Sequence, residues 1–280
     1  MFNKKRLIAL LTGTLLVGSV VSGCGSAGAN STSGSRSSKI TVSGSTSVGP
    51  TMEILAEDYQ KENDTTTIEV QQVGSSAGIT NTIDGTSQIG MSSRDLKDEE
   101  KSELKEYQIA IDGIAVITNS ANKVKDLTLQ QVKDIYTGKI TNWKEVGGAD
   151  AEIVVVSRED GSGTRDGFQE IVGFESKDLT SNAQISDGSG NIKTTVQGNE
   201  NAIGYISFGY LDDSINAVKI GGVEPKEENV YNDKYPISRP FLLVTKGEAS
   251  GDAKSFIDYV LSDAGQKTIE KQGFMSVNQK

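Results

Sequence analysis

Hydrophobic and polar residues alternate along this chain in two rhythms, one typical of strands and one typical of helices. Short apolar, β-branched runs predict strands, and apolar residues spaced three and four apart predict helices. The predicted strands cover about 39–43, 68–73, 88–91, 109–118, 153–156, 202–208 and 236–245. The predicted helices cover about 51–61, 74–83, 97–106, 126–136, 165–172, 191–197 and 253–271. Because strands and helices follow one another in turn, the pattern predicts an α/β fold with parallel sheets covered on both faces.

Two of the predicted strands, 109–118 and 236–245, are longer than the others. Strands of this length suit two crossings between separate lobes. We therefore predict that residues 39–116 and 239–280 form lobe 1, and that residues 117–238 form lobe 2. Ligands of open α/β sheets bind beyond the carboxyl ends of the strands. The cleft between the two lobes is thus the predicted ligand site.

Four turns rich in Ser, Thr and Gly follow predicted strands. Three of them also open a predicted helix: Gly44-Ser45-Thr46-Ser47, Gly74-Ser75-Ser76 and Gly161-Ser162-Gly163-Thr164. The fourth, Ser92-Ser93-Arg94, ends a strand. A helix N-terminus favours an anion, because it offers unpaired N–H groups and the positive end of the helix dipole. One such turn alone is more simply an N-cap, but three at the same edge of two sheets indicate an anion-binding cleft.

Arg158 lies just before the turn at residues 161–164. Its guanidinium would bind an oxyanion through two parallel hydrogen bonds, with Asp160 holding it in place. The alternative is an ordinary surface ion pair between Arg158 and Glu159 or Asp160.

The first residues show neither the strand pattern nor the helix pattern, and they predict a leader peptide. Lys4-Lys5-Arg6 precede an apolar run over 7–21, which is the pattern of a secretory signal peptide. The following Val21-Ser22-Gly23-Cys24 resembles a bacterial lipobox, in which the cysteine is lipidated. We predict a signal peptide over 1–23, and a lipidated Cys24 with a flexible Gly/Ser-rich tether over 24–38. Such a protein is held at the outer face of the bacterial cytoplasmic membrane; the alternative is a plain signal peptide with an incidental cysteine.

Composition narrows the possible functions. The net charge is −10, and loss of residues 1–23 would remove three basic residues and no acidic one, giving −13. This balance argues against binding to nucleic acid and against charge-driven docking on anionic lipid. Histidine is absent, which removes Ser-His-Asp and Cys-His mechanisms and makes a zinc site improbable. The sequence therefore predicts no metal and no cofactor.

One segment hints at an enzyme. Residues 74–78 fit the G-x-S-x-G pattern of a nucleophile elbow, with Ser76 as the nucleophile. The pattern needs a general base, and the chain has no histidine to supply it. A serine hydrolase that uses Ser76 is therefore kept only as an alternative.

Six segments occur together in this order: GSTSVGP, GSSAGI, IGMSSRDL, IYTGKITNW, SREDGSGTR and AIGY. In these segments the chain resembles the phosphate-binding subunit of bacterial phosphate ABC importers, and the similarity runs from Lys39 to the C-terminus. The resemblance implies a two-lobe periplasmic-binding-protein fold of type II with two interlobe crossover strands. It also implies capture of inorganic phosphate in the cleft, and delivery by a monomer to permease subunits driven by a cytoplasmic ATPase. No enzymatic activity is expected.

The resemblance also implies which residues contact phosphate. They are Ser45, Thr46, Ser47, Ser75, Ser93, Arg94, Arg158, Ser162, Gly163 and Thr164. Some members have Ala at the position of Ser45. Arg94 either contacts the anion or pairs with Asp95 or Glu99.

One position departs from the family pattern. Well-known members have an aspartate where this chain has Ser93, and that aspartate accepts a phosphate proton and so excludes sulfate. Here Asp160 or a backbone carbonyl would accept the proton instead. The departure leaves two alternative ligands open: another tetrahedral oxyanion such as sulfate or arsenate, or an organic phosphate. Separately, a ligand sensor that shares the fold and serves no permease is an alternative to transport.

Overall fold

The computed structural model describes residues 38–279. The predicted signal peptide, the lipidation of Cys24 and nearly all of the tether lie outside the described residues. Strand β1 begins at Ser38, one residue before the predicted start of the folded part. Within residues 38–279, every helix is too short or too polar to span a lipid bilayer.

Twelve strands and nine α-helices occur among the described residues. The strands are β1 Ser38–Gly44, β2 Thr66–Gln72, β3 Ile89–Ser92, β4 Leu104–Asn119, β5 Asp126–Leu127, β6 Val154–Arg158, β7 Gln184–Ser186, β8 Ala202–Ser207, β9 Ile215–Ala217, β10 Lys219–Ile220, β11 Ser238–Lys246 and β12 Met275–Ser276. The helices are α1 Gly49–Glu62, α2 Ser75–Ile83, α3 Asp98–Lys101, α4 Leu129–Tyr136, α5 Gly163–Val172, α6 Gly188–Gln197, α7 Glu227–Tyr231, α8 Gly251–Leu261 and α9 Asp263–Lys271.

Most strands join one mixed sheet. Its order is β2-β1-β3-β11-β4-β8-β6-β7, and β9 and β12 also pair with β4. β1 pairs in parallel with β2 and β3, and β6 pairs in parallel with β7 and β8. The long strands β4 and β11 are antiparallel to each other and connect the two parallel groups. The predicted parallel strands are therefore present in both groups, and the two predicted long strands lie between them.

The hydrophobic core is divided in a way that follows the chain. One large cluster of buried side chains comes from residues 40–110 and 241–274. The other comes from residues 114–237 and Met275. The lobe boundaries at 116/117 and 238/239 stay a prediction, which this division of the core supports.

Three helix predictions are wrong in extent. In the helix predicted over 126–136, residues 126 and 127 form β5, and α4 begins only after the N-cap Thr128. The helix predicted over 97–106 is a single turn, α3, because Leu104 is buried and begins β4, where it pairs with Lys246. The helix predicted over 253–271 is two helices, α8 and α9, with a break at Ser262. The Ser262 hydroxyl accepts a hydrogen bond from the Gly265 N–H at 3.3 Å and so caps α9.

Another helix begins earlier than predicted. The sequence pattern predicts a start at Asn191, whereas α6 starts at Gly188. The segment Gly188-Ser189-Gly190 therefore forms a fourth turn that follows a strand and opens a helix, and this turn was missed.

Candidate anion-binding site

The three predicted helix-opening turns lie at the carboxyl ends of parallel strands. The turn after β1 opens α1, the turn after β2 opens α2, and the turn after β6 opens α5. Because β1 lies between β2 and β3 in parallel pairing, the ends of these strands share one edge. β6 lies between β7 and β8 in the same way. The polar turns of each parallel group thus meet where ligands of α/β sheets bind.

Side chains of the β1–α1 turn contact side chains around the β6–α5 turn. Arg158 Nη2 donates a hydrogen bond to Thr46 Oγ1 at 3.0 Å, across 112 positions of sequence. The hydroxyls of Ser47 and Thr164 lie 2.9 Å apart, across 117 positions. Ser47, Arg158 and Thr164 are each only 1% exposed. Four residues singled out in the sequence are therefore brought together.

The β2–α2 turn packs against the start of α5. The Ser75 hydroxyl accepts a hydrogen bond from the Ser93 N–H at 3.2 Å, and the two hydroxyls lie 3.3 Å apart. A Cβ on Gly163 would lie 2.3 Å from Ser75 Oγ and 2.8 Å from Ser93 Oγ. Only glycine allows this approach, because real Cβ atoms do not come so close to other heavy atoms. The Ser76 N–H also donates to the Gly161 carbonyl at 3.1 Å.

The backbone of Arg158 is fixed by an aromatic residue from β8. The Tyr205 hydroxyl accepts from the Arg158 N–H at 3.2 Å and lies 2.9 Å from Ser157 Oγ. The Tyr205 ring stacks on Phe168 of α5 with centroids 4.0 Å apart. Strand end, helix and aromatic pair therefore hold Arg158 in one position.

The guanidinium of Arg158 is oriented by Glu159. Nε and Nη2 donate to the two carboxylate oxygens at 2.7 and 2.6 Å. Burial raises the pKa of Glu159, but the hydrogen bonds and charge of Arg158 and the Gly188 N–H outweigh it, so that the pKa lies below its ordinary value. Arg158 thus has the ion pair with Glu159 that the sequence analysis held as an alternative. The pair is formed by a buried guanidinium, and Nη1 and Nη2 still reach the hydroxyls of the turns.

One predicted hydroxyl, that of Ser162, caps a helix, and another, that of Ser45, caps the turn that precedes α1. Ser45 Oγ accepts from the N–H groups of Ser47 and Val48 at 3.2 and 3.3 Å. Ser162 Oγ accepts from the Arg165 N–H at 3.2 Å. A hydroxyl that accepts such bonds keeps its own proton to donate. Capping and anion contact are therefore compatible at both positions.

Arg94 has acidic partners on two elements. Nη1 and Nη2 donate to Glu100 at 2.7 and 2.8 Å, and Nε lies 3.0 Å from Asp166 Oδ2 of α5. Burial lowers the pKa of Arg94, but these carboxylates outweigh it and raise the value. The predicted partners differ: Asp95 contributes only its backbone carbonyl, and Glu100 takes the place considered for Glu99.

The expectation that Asp160 holds Arg158 is wrong. Asp160 pairs with Arg165 Nη1 at 2.6 Å, and its side chain is 92% exposed. Arg165 Nη1 in turn donates to the Arg158 carbonyl at 3.1 Å. A side chain so exposed does not face the buried hydroxyls, so Asp160 does not fit the role of proton acceptor either.

A buried ion pair beneath the turns was missed. Arg239 of β11 pairs with Asp112 of β4 at 2.8 Å, and both side chains are nearly fully buried. Arg239 Nη2 also donates to Ser47 Oγ at 3.2 Å, and Nη1 donates to the Ser93 carbonyl at 3.1 Å. The sequence carried a signal, since each residue interrupts an apolar strand. A charge in such a strand needs a buried partner.

Burial acts against both charges of this pair. It raises the pKa of Asp112 and lowers that of Arg239. Three donors partly offset the effect of burial on the pKa of Asp112: Arg239, the Ser207 hydroxyl at 2.9 Å and the Phe208 N–H at 3.1 Å. Because a guanidinium keeps its proton in proteins, Arg239 brings a positive charge next to Ser47.

Ser189 was also missed. It lies near the start of α6 and is 1% exposed. Its hydroxyl accepts from Arg158 Nη1 at 3.2 Å and lies 3.1 Å from Ser47 Oγ. Ser189 therefore belongs to the same polar group as Thr46, Ser47, Arg158 and Thr164.

A cavity of about 600 Å³ opens beside this polar group. Its lining residues are Thr46, Gln72, Val73, Gly74, Glu159, Asp187, Gly188, Ser189, Gly190, Asn191 and Tyr210. The Tyr210 hydroxyl donates to the Thr46 carbonyl at 2.9 Å. Solvent thus reaches the region next to Thr46 and Ser189.

The positive charges of the arginines are balanced by carboxylates, so that each ion pair has little net charge. Every arginine within residues 38–279 has a carboxylate partner. The pairs are Arg94–Glu100, Arg158–Glu159, Arg165–Asp160 and Arg239–Asp112. An anion would therefore be held mainly by hydroxyls, backbone N–H groups and helix N-termini, with Arg158 as the nearest guanidinium to the hydroxyls of Thr46 and Ser189.

The contacts of Ser76 do not form a hydrolase site. Within residues 38–279, its hydroxyl has a side-chain contact with Arg94, whose Nη2 donates to it at 3.4 Å. A guanidinium has no lone pair to accept the serine proton. The arrangement is therefore suited to binding an anion, and a nucleophile at Ser76 has no base.

A family model for the PBP superfamily domain matches residues 29–264. A phosphate-binding protein PstS from Bacillus subtilis is 37% identical, and the alignment covers 98% of this chain and 94% of that protein. A phosphate-binding protein PstS from Borreliella burgdorferi is 30% identical, with 85% of this chain and 90% of that protein covered.

Solved structures agree with these relatives. A Clostridium perfringens protein, assigned as a phosphate ABC transporter substrate-binding protein and crystallised with bound phosphate, is 63% identical. Its TM-score is 0.84, with 85% of this chain and 99% of that chain covered. An ABC-type phosphate transport receptor from Vibrio cholerae is 39% identical, with a TM-score of 0.74 and coverage of 85% and 100%.

Proposed function

We propose that this chain, which belongs to the PBP superfamily and within it to the PstS phosphate-binding proteins, binds inorganic phosphate outside the cytoplasm. It then delivers the phosphate to the permease subunits of a phosphate ABC transporter. Its fold is the type II periplasmic-binding-protein fold, in which two long strands connect two parallel groups. In this role the protein performs no covalent chemistry.

One observation carries the proposal. A buried guanidinium, that of Arg158, is surrounded by hydroxyls from several strand-to-helix turns, and two of its contacts are to Thr46 and Ser189. Buried groups of this kind lose their hydration and need hydrogen-bond partners. A tetrahedral oxyanion matches this set, since it accepts hydrogen bonds in every direction.

The proposed contacts come from both parallel groups. Arg158 contributes its guanidinium, and Gly163 contributes a backbone N–H at the start of α5. The remaining proposed contacts are the hydroxyls or amides of Ser45, Thr46, Ser47, Ser75, Ser93, Ser162 and Thr164. Arg94 is proposed to act instead through its ion pairs, because its three nitrogens already face Glu100, Asp166 and the Asp95 carbonyl.

Hydrogen bonds of this kind are strong enough for useful affinity. A hydrogen bond to a charged group contributes about 1.5–3 kcal/mol, and a partly buried helix N-terminus contributes up to about 2 kcal/mol. Micromolar affinity corresponds to about 8 kcal/mol. A few of the proposed contacts therefore suffice after the anion has been dehydrated.

Ser93 bears on how the proposed site discriminates between phosphate and sulfate. A serine hydroxyl both donates and accepts, so it fits an anion with or without a proton. A carboxylate at this position would only accept, and would repel a fully ionised anion such as sulfate. We therefore expect weaker discrimination against sulfate than an aspartate would give, with phosphate still preferred.

A calorimetric titration at neutral pH tests the proposed ligand. We expect saturable heat in the micromolar range of phosphate, and weaker competition from sulfate at equal concentration. No saturable heat with phosphate would refute the function. Equal competition by sulfate would change the proposed ligand to a general tetrahedral oxyanion, and arsenate would then be expected to compete as well.

The location is also a proposal. The leader and the Cys24 motif support a lipid anchor at the outer face of the cytoplasmic membrane. Growth with radiolabelled palmitate should label the wild-type protein and leave Cys24→Ala unlabelled. Label retained in Cys24→Ala would show that the anchor is elsewhere.

A further inference from the structure

A second copy of an Asp-Gly-Ser-Gly sequence lies beside the first. Residues 160–163 and residues 187–190 share this sequence. The first follows β6 and opens α5, and the second follows β7 and opens α6. β6 and β7 pair in parallel with Arg158 opposite Ser186. The two turns therefore leave the same edge of the sheet side by side.

The second turn is tied to the charged centre of the site. The Gly188 N–H donates to Glu159 Oε2 at 3.2 Å, while Glu159 orients Arg158. The Ser189 hydroxyl accepts from Arg158 Nη1 at 3.2 Å. An anion oxygen that bound to the Nη atoms of Arg158 would therefore lie within reach of the Ser189 hydroxyl.

The hydroxyls around Ser47 have one proton more than their mutual contacts can use. Ser47 Oγ contacts Thr164 Oγ1 at 2.9 Å and Ser189 Oγ at 3.1 Å, so three hydroxyls share two contacts. Each contact uses one proton, and a third proton remains. The guanidinium groups of Arg239 and Arg158 cannot accept it, because they only donate to Ser47 and Ser189.

The position of Arg158 determines which hydroxyl has the free proton when an anion is bound. If Thr164 donates to Ser47 and Ser47 donates to Ser189, both lone pairs of Ser189 are filled and its proton is free. In the reverse order the free proton is on Thr164. An anion bound at Arg158 favours the first order, because Ser189 shares the same guanidinium and gains a hydrogen bond to a charged group.

We infer that Ser189 is a further phosphate-contacting residue, which donates its hydroxyl proton to the anion from the N-terminus of α6. The inference rests on the proposed function and extends its contact set to a turn that the sequence analysis did not single out. α6 also adds the positive end of a ten-residue helix to the site.

Phosphate titration of Ser189→Ala tests this inference on the full folded protein. The expected result is a dissociation constant about 10-fold to 100-fold higher than that of the wild type, with an unchanged circular dichroism spectrum. Thr194→Ala is the matched control, because this exposed hydroxyl on the same helix bonds only to the Gly190 carbonyl. It should bind phosphate as the wild type does.

A double-mutant cycle separates contact from positioning. If Ser189 contacts the anion, Ser189→Ala should still weaken phosphate binding at least about threefold in Arg158→Lys, although the two side chains are hydrogen-bonded and their effects need not add. If it only positions Arg158, the loss should nearly vanish in Arg158→Lys, and that result would overturn the inference. A loss below twofold in the wild-type background would also overturn it. Absence of phosphate binding by the wild type is a different result, which would refute the proposed function itself.

Discussion

At the residue scale, the site depends on a guanidinium whose direction is fixed by other groups of the protein. Arg158 receives its backbone position from Tyr205 and its side-chain orientation from Glu159. Pre-organisation of this kind lowers the entropic cost of binding, because few rotamers are lost. The hydroxyls that surround it can rotate to redirect their protons without moving their oxygens.

The first residue-scale prediction concerns the charge and one hydroxyl. Arg158→Ala should weaken phosphate binding at least 100-fold, since it removes a charge-assisted contact. Thr164→Val should weaken it about 10-fold, since it removes the hydroxyl that donates to Ser47 and so directs the proton of Ser189 towards the anion. Isothermal titration measures both. Thr137→Val, at a helix end where the hydroxyl bonds only to the Lys133 carbonyl, is the control. Unchanged affinity in both site variants would contradict the site assignment.

A second residue-scale prediction uses two glycines of the same helix. Gly163→Ala places a Cβ 2.3 Å from Ser75 Oγ, so we expect displacement of Ser75 and phosphate binding at least 10-fold weaker. Gly167→Ala meets its nearest atom, Arg239 Cδ, at 3.6 Å, which is an ordinary contact. Alanine also favours a helix more than glycine does. Equal affinities of the two variants in a phosphate titration would show that the close approach has no role in binding.

At the element scale, the sequence predicted the strand-to-helix turns well and the long-range partners poorly. Local rhythm places β1, β2 and β6 and the Ser-rich turns after them, because apolar spacing and Gly/Ser punctuation are local signals. The partners of Arg94, Arg158 and Arg239 depend on which elements meet in space.

The errors in predicting the other elements have similar physical causes. The charged segment 97–106 has no clear apolar period, so the sequence did not reveal that its last residues begin β4 and pair with β11. The start of α6 was missed because Gly188 and Gly190 have poor helix propensity. Their turn nevertheless repeats the pattern after β6, and a comparison of the two Asp-Gly-Ser-Gly segments would have found it.

An element-scale prediction concerns the contact between the end of β3 and α5. Arg94, held by Glu100, lies 3.0 Å from Asp166 of α5. Asp166→Asn should weaken this contact, and we expect phosphate to dissociate about three- to tenfold faster. Stopped-flow release of phosphate measures the rate. Asp150→Asn, which alters an exposed pair with Lys144, serves for comparison. An unchanged release rate in Asp166→Asn would assign the pair to folding alone.

At the scale of the whole molecule, the net charge is −10, so an anion must be bound by groups close to the site. Long-range repulsion opposes the approach of an anion, and each arginine of the site is balanced by a carboxylate. Helix N-termini and hydroxyls supply the attraction where it is needed, without a field that would collect unrelated anions. Phosphate affinity should accordingly depend only weakly on ionic strength.

The same paired carboxylates predict the response to acid. Burial raises the pKa of Glu159, but its contacts with Arg158 outweigh this and keep the value below the ordinary range. A carboxyl with a lowered folded pKa stabilises the protein fully above its unfolded pKa of about 4.3. That stabilisation is lost as pH falls through the folded pKa.

We therefore expect the free energy of unfolding to fall between pH 5 and pH 3 by more in the wild type than in Glu159→Gln. Urea unfolding across this pH range measures it. Glu170→Gln, on the exposed face of α5, should behave as the wild type. Identical pH profiles for the wild type and Glu159→Gln would contradict the role given to this ion pair.

The most direct test of the central claim is a crystal structure of the protein grown with phosphate. The account predicts one phosphate among the strand-to-helix turns, with oxygens about 2.6–3.2 Å from the Arg158 guanidinium, the Gly163 N–H and the hydroxyls of Thr46, Ser75 and Ser189. Phosphate found elsewhere, with Arg158 still bound to Thr46 and Ser189 as in the present structure, would contradict it.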